Sequence, residues 1–488
     1  MEPPCPHRAT GSADSRNRNT DRSPAEAGAG ATTGDKVTAG TPIVPGPGRY
    51  GARGNSRLSR VSTLGPALLT DHYELTMVRA ALRDGTADRR CVFEVFSRRL
   101  PAGRRYGVVA GTGRLVELIR DFRFDADEVE FLRRTGVVDD ATAQWLTAYR
   151  FTGDIDGYAE GELFFPGSPI LTVSGTFAEC VVLETLVLSV LNHDCATAAA
   201  ATRMVTAARG RTLIEMGSRR THEEAAVATA RAAYLAGFRF TSNLAAGERY
   251  GIPTAGTAAH AFTLLHEDER TAFASQVATL GKDTTLLVDT YDIGQGIRNA
   301  IAVAGPDLRA IRIDSGDLAV MAQQSRDLLD SLGATETKII VSGDLDEYAI
   351  AALAAEPVDM YGAGTAVVTG SGAPTASLVY KLVEVEGRPV VKRSEQKATI
   401  GGRKVAVRRH KPTGTATEEV IVPQGVPERQ PNDRLLQRTY LAGGAVAAQP
   451  TLDESREHLR QCLISIPWEG LKLSAGDPAI PVTVVPAD

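Results

Sequence analysis

From Arg211 to about residue 370 the chain alternates short apolar runs with segments whose apolar positions recur at helical spacing. The runs TLIEM, FRFT, GIPTAG, TTLLV, AIRI, KIIV and VDMY each end in glycine or polar residues and then lead toward a helix. Helix punctuation lies between them. Thr221-x-x-Glu224 reads as a capping box opening THEEAAVATARAAYLAG, Gly237 follows its last turn, and Asp317 precedes LAVMAQQSRDLLDSLG. Seven strand-and-helix units predict an irregular α/β barrel of parallel strands, assigned to residues 181–370. In such a barrel the loops after the strands gather on one face. Arg219, Ser242, His260, Asp289, Arg312, Asp314, Asp317, Ser342 and Gly364 are then expected at one mouth, although each alone would pass as an ordinary turn or cap residue.

The pattern changes outside this region. Residues 61–180 mix β-rich runs such as CVFEVFSRRL and SPILTVSG with helical stretches such as RLVELIRDF, without regular alternation, which predicts an α+β domain. A helical zone follows from Phe177 to Ala208, and its most apolar window, VVLETLVLSVL, is too short to cross a bilayer and reads as a buried helix. Residues 371–488 are assigned to packing against the N-terminal domain. Residues 1–60 are Gly, Pro, Ala, Ser, Thr and Arg with few aliphatic side chains, a composition that predicts a disordered tail, and they show no apolar stretch of the signal-peptide kind.

Composition narrows the partners. With 43% hydrophobic residues over 488 positions there is ample material for a core. A net charge of -5 gives no global electrostatic case for nucleic acid or an anionic membrane, so any phosphate binding must be local. Cysteines 5, 91, 180, 195 and 462 are scattered and lack CxxC spacing, which argues against a disulfide framework or structural zinc and for a reducing cytoplasm.

Local chemistry then comes from the loops. In GIPTAGTAAHAFTLLH, His260 and His266 are six residues apart, about 1.7 helical turns, so they face different ways and do not form a two-histidine zinc site. The small residues Gly256-Thr257-Ala258-Ala259 leave room for a ligand beside His260. Arg312 and Asp314 share one side of a strand. Arginine suits phosphate oxygens, while carboxylates suit ribose hydroxyls or Mg²⁺. SGDLD at 342–346 and GAGT at 362–365 offer glycine-freed backbone N–H groups beside helix starts, the requirement for cradling phosphate. A sugar bearing several phosphates satisfies both kinds of group.

TDHYELTM (70–77), EMGSRRTHEEA (215–225), GTAAH (256–260), VDTYD (288–292), IRIDSGDL (311–318), SGDLDE (342–347) and YGAGT (361–365) carry a resemblance. In this order they occur in nicotinate phosphoribosyltransferases, and from Ser62 to Glu384 the chain resembles a bacterial member of that family. The resemblance implies a type II phosphoribosyltransferase that makes nicotinate mononucleotide and pyrophosphate from nicotinate and phosphoribosyl pyrophosphate, in NAD salvage. ATP is the implied cosubstrate with Mg²⁺, coupled through a phosphohistidine. By the motif match, His260 is the phosphorylated residue, Asp289 holds its ring, and Asp314 is the third catalytic residue. Tyr73 would stack on the pyridine ring from a neighbouring subunit, implying a homodimer with shared sites. Met216 would stand on the ring's other face, where phenylalanine is frequent in related enzymes. Arg219, or its neighbour Arg220, would meet the base's carboxylate. Thr257, Arg312, Asp317, Ser342, Gly343, Asp344, Gly362, Gly364 and Thr365 would hold the remaining substrate, and no residue is assigned directly to metal. The similar nicotinamide enzyme has aspartate where this chain has Ser242, which favours the acid over the amide. Nicotinamide or quinolinate phosphoribosyl transfer, or a catalytically idle homologue that binds a phosphorylated metabolite, are the alternatives.

Overall fold

The computed structural model describes residues 65–392, 400–425 and 428–485. The tail expected over 1–60 lies outside them. In the N-terminal part, apolar strands assemble an antiparallel sheet in the order Arg388–Pro389, Leu378–Val385, Arg90–Ser97, Leu171–Thr176, Asp154–Tyr158, Gln437–Ala442, Ala445–Val446. Arg90–Ser97 is central, and RCVFEVFS is buried at every position but the first, as a strand covered on both faces requires. Strands from both ends of the described chain thus share this sheet, and Leu378–Val385 pairs directly with Arg90–Ser97. A second sheet of Arg434–Leu435, Lys404–His410, Ala416–Pro423 and Val482–Val484 carries the fully buried Arg408, which is matched by Glu162 and Glu419.

The helix Glu184–Ala207 links two cores. Leu186, Val187, Val190 and Leu191 pack with the antiparallel sheet, whereas Ala198, Ala201, Met204 and Ala207 pack with the parallel one. The boundary expected at residue 180 falls just before this shared helix. Phe177–Ala207 is long and apolar enough to cross a membrane, but 67% of its most apolar window is buried in these cores.

Six parallel strands follow the order Phe240–Thr241, Thr212–Glu215, Met360–Ala363, Lys338–Gly343, Ala310–Ile313, Thr285–Leu287. This is a half-barrel: among the described residues its two edge strands do not pair with each other. GIPTAG, expected as a seventh strand, makes only the isolated bridge Thr241–Thr254. Pro253 has no N–H to give a ladder, and the small residues after Ala255 pair with no strand. A second correction concerns the helix Glu223–Ala236. Its cap is His222, whose Nδ1 accepts the Glu224 N–H at 3.3 Å, rather than Thr221. The turn closed by Arg220 N–H on the Gly217 carbonyl leaves Thr221 outside the helix.

Candidate active site

A cavity of about 640 Å³ opens at the C-terminal ends of the parallel strands. It is lined by Arg219, Ser242, Arg312, Asp314, Ser342 and Gly364, expected at the mouth from the strand pattern, by Met216, Thr257, Gly343, Asp344, Gly362 and Thr365, expected from the resemblance, and by Ser218, Arg220, Ala255, Gly256, Ala258 and Ala259. Loops separated by up to 150 residues therefore converge, as parallel strands in one sheet require.

Two neighbouring loops nest closely. Met216 N–H donates to the Ala363 carbonyl at 2.8 Å. A Cβ on Gly362 would stand 2.7 Å from the Met216 sulfur, and one on Gly217 would stand 2.3 Å from Val368 Cγ1, so both positions admit only glycine without rearrangement. Beneath them Glu215, 1% exposed, accepts the Gly217 N–H and, at 2.6 Å, the Thr241 hydroxyl. Burial raises the Glu215 pKa above its ordinary value, against the pull of these two donors.

The cationic side of the cavity is Arg219, Arg220 and Arg312. None of the three has a carboxylate within ion-pair distance among the described residues. Arg312 Nη1 donates to Thr257 Oγ1 at 2.6 Å, while its buried Nε has no partner. Burial holds the Arg312 pKa below the ordinary value, although Asp314 and Asp289 act to raise it. Unspent guanidinium donors in a partly desolvated cleft are what an anionic ligand engages.

The carboxylates form an ordered pair. Asp289 Oδ2 accepts the Asp314 N–H at 2.8 Å and the Ser315 hydroxyl at 2.7 Å. Asp289 Oδ1 is buried without a hydrogen-bond partner and lies 3.9 Å from His260 Nε2. Asp314 Oδ1 accepts the Ser342 hydroxyl at 2.5 Å. His260 begins the short helix His260–Leu264, directly after the lining residues, with 41% of its side chain exposed. Its Nδ1 is 3.0 Å from Thr290 Oγ1. His266 is placed differently, with Nδ1–H directed at the Phe262 carbonyl at 2.8 Å and its ring edge-on to Phe262.

Four expected site residues are not in the cavity lining: His260, which follows it in the chain, Asp289, which holds Asp314 from beneath, and Asp317 and Tyr73, which stand farther off. Asp317 caps Leu318–Ser331, accepting the Ala319 and Val320 N–H groups through one oxygen. Tyr73 lies on the helix His72–Asp84, 44% exposed; burial and the nearby Glu184 raise its pKa well above the ordinary tyrosine value. Ser218, Glu215, Thr290 and Ser315 were not among the expected residues. Each of the four adjoins one that was.

An open parallel half-barrel with three unpaired arginines, an ordered aspartate pair and two glycine loops at its strand ends is an α/β site for an anionic, hydroxyl-bearing substrate. Residues 68–192 match the nicotinate phosphoribosyltransferase N-terminal domain, and residues 212–413 match the nicotinate phosphoribosyltransferase family. The chain is 61% identical over 430 residues to Mycobacterium tuberculosis nicotinate phosphoribosyltransferase pncB1, covering 86% of this chain and 95% of that one. Identity to the Bacillus subtilis nicotinate phosphoribosyltransferase is 37% over 357 residues, covering 70% and 73%. The fold matches human nicotinic acid phosphoribosyltransferase with TM-score 0.76 at 27% identity, over 85% of this chain and 97% of that one. The chain belongs to the nicotinate phosphoribosyltransferase family and is an enzyme of that family.

Proposed function

We propose that the protein transfers phosphoribosyl from phosphoribosyl pyrophosphate to nicotinate, giving nicotinate mononucleotide and pyrophosphate for NAD biosynthesis, with ATP hydrolysis coupled through His260. The observation that carries this reading is the cavity's division into an unpaired arginine side and an Asp314 side, the latter held in place by Asp289 beneath it. In the reaction the ribose C1–oxygen bond to pyrophosphate breaks and a bond from the pyridine nitrogen to C1 forms. Asp314, held by Ser342, is suited to a ribose hydroxyl, and the Gly343 and Gly364 loops to phosphate oxygens. Arg312 offers its free donors to the charge that grows on the leaving group. Arg219 and Arg220 suit a carboxylate on the base, and Met216 one face of its ring.

His260 takes the phosphoryl group in this reading. A ring nitrogen bonds to the γ-phosphorus of ATP as the bond to the ADP oxygen breaks, and Asp289 Oδ1 steadies the ring. The Asp314 and Asp344 carboxylates, both in the cavity lining, are hard oxygen donors of the kind Mg²⁺ takes; held beside them, it would neutralise phosphate charge. Tyr73, exposed and outside its own chain's cavity, is read as completing the site of a second copy, so the working unit is a homodimer in the cytoplasm.

The test is product formation with nicotinate, nicotinamide and quinolinate in parallel, with and without ATP. Nicotinate is expected to be the substrate. His260→Ala is expected to abolish nicotinate-stimulated ATP hydrolysis and acid-labile phosphate incorporation while leaving slow, ATP-independent product formation, and His266→Ala to behave as wild type. Phosphate incorporation that survives in His260→Ala and disappears in His266→Ala would overturn the coupling assignment.

A further inference from the structure

Three serines line the cavity, and one of them, Ser218, next to Arg219 in the chain, has its hydrogen-bonding role set by a chain of contacts running from the protein interior. The chain starts at buried Glu215, which accepts the Thr241 hydroxyl at 2.6 Å. Thr241 Oγ1 in turn accepts the Asn243 N–H at 3.0 Å. Asn243 caps the helix Leu244–Tyr250, its Oδ1 accepting the Ala246 N–H at 2.9 Å. That bond settles which way the amide faces, because Oδ1 is committed to the helix. The group 3.0 Å from Ser218 Oγ is therefore the NH₂, and Ser218 is the acceptor. A hydroxyl carries a single proton, and that of Ser218 has no protein acceptor among the described residues. It is free to be donated into the cavity.

We infer that Ser218 is a specificity-determining residue, its hydroxyl donating to the carboxylate of the base, and that Asn243 is a positioning residue acting through it. The inference rests on reading the cavity as a nicotinate site. A carboxylate only accepts hydrogen bonds, so Ser218, Arg219 and Arg220 can all serve it. A carboxamide shows one accepting oxygen to such a set: its NH₂ meets either a guanidinium, which has nothing to accept it, or the remaining lone pair of Ser218, whose own proton then goes undonated.

The experiment uses the full chain and two readouts: calorimetric binding of nicotinate and nicotinamide, and steady-state kinetics. Ser218→Ala is expected to weaken nicotinate binding and raise its KM about tenfold, with kcat within about twofold and the KM for phosphoribosyl pyrophosphate unchanged, the signature of a lost charge-assisted hydrogen bond to the ground-state ligand. Ser218→Thr keeps the hydroxyl and restores binding. Asn243→Asp keeps the capping oxygen, so melting temperature holds, but it offers Ser218 an acceptor in place of a donor. Nicotinate affinity is then expected to fall at least tenfold while nicotinamide affinity does not fall, narrowing the preference for the acid. Wild-type nicotinate affinity in Ser218→Ala or Asn243→Asp overturns the inference. So does a loss shared equally by phosphoribosyl pyrophosphate and by thermal stability, which marks a merely structural role. A wild-type protein that binds nicotinate in preference to nicotinamide yet forms no mononucleotide refutes the proposed activity and leaves the inference standing. One that binds both equally overturns both.

Discussion

Gly217→Ala tests how the arginine loop is fitted to the phosphate loop. A Cβ at this position would lie 2.3 Å from Val368 Cγ1, 2.8 Å from Glu215 Oε1 and 3.2 Å from the Gly364 carbonyl. Carbon–carbon contact is comfortable at about 3.5–4.0 Å, so the methyl arrives more than an ångström too close. Gly217 does not have positive φ, so any cost comes from this overlap and not from the backbone. Overpacking of this kind costs about 1–3 kcal/mol. Val368, 7% exposed, ends the short helix Thr365–Val368 that follows the GAGT loop, so relief by moving it shifts that loop. Val368→Ala removes two methyl groups, about 1.6 kcal/mol of burial plus a cavity term, or roughly 2 kcal/mol. If overlap with Val368 is the main cause, the double variant escapes that clash, though not the approach to Glu215, and is less destabilised than the sum of the singles by about 1–2 kcal/mol. Chemical denaturation of the four proteins gives the cycle. The KM for phosphoribosyl pyrophosphate is expected to rise in Gly217→Ala and to recover in part in the double variant. Additivity within about 0.5 kcal/mol, or a Gly217→Ala protein with wild-type stability, would refute the reasoning.

Arg312→Ala and Asp314→Asn are expected to raise the KM for phosphoribosyl pyrophosphate tenfold or more while melting temperature moves by about 2 °C or less, since both side chains face the cavity; a melting loss matching the activity loss would count against a ligand role. Glu162→Gln is expected to cost about 3–5 kcal/mol, because Arg408, fully buried, and Arg434 lose the charge that compensates them. Burial alone would raise the Glu162 pKa, but Arg408, the His458 hydrogen bond and Arg434 hold it well below 4.5. Its stabilisation is therefore complete above the unfolded value near 4.5 and is lost as pH falls below it. Denaturation midpoints measured downward from pH 5 are expected to fall more steeply in wild type than in Glu162→Gln, and parallel slopes would contradict this.

What the sequence makes legible is the set of loops, because a parallel strand brings its C-terminal end to one face whatever else the fold does. Arg219, Ser242, Arg312, Asp314, Ser342 and Gly364 follow from strand and turn patterning alone. What it hides is orientation. Asp317 has the composition of a ligand-binding residue and the position of a helix cap, and the structure shows one of its oxygens committed to the cap. GIPTAG has the apolar residues of a strand, but Pro253 and the small residues after it leave it a single bridge, and that opening is where Thr257 reaches Arg312. Ser218 and Thr290 are ordinary hydroxyls in the sequence. Ser218 becomes informative only when Asn243 is seen to be held by Ala246, and Thr290 only when His260 is seen turned toward it. The chemistry of the site is carried by residues that patterning can find, whereas its selectivity depends on which way a few protons point. That is decided by caps and buried carboxylates one layer beneath the cavity, so substitutions at Glu215, Thr241 and Asn243 should alter substrate preference more than their distance from the ligand would suggest.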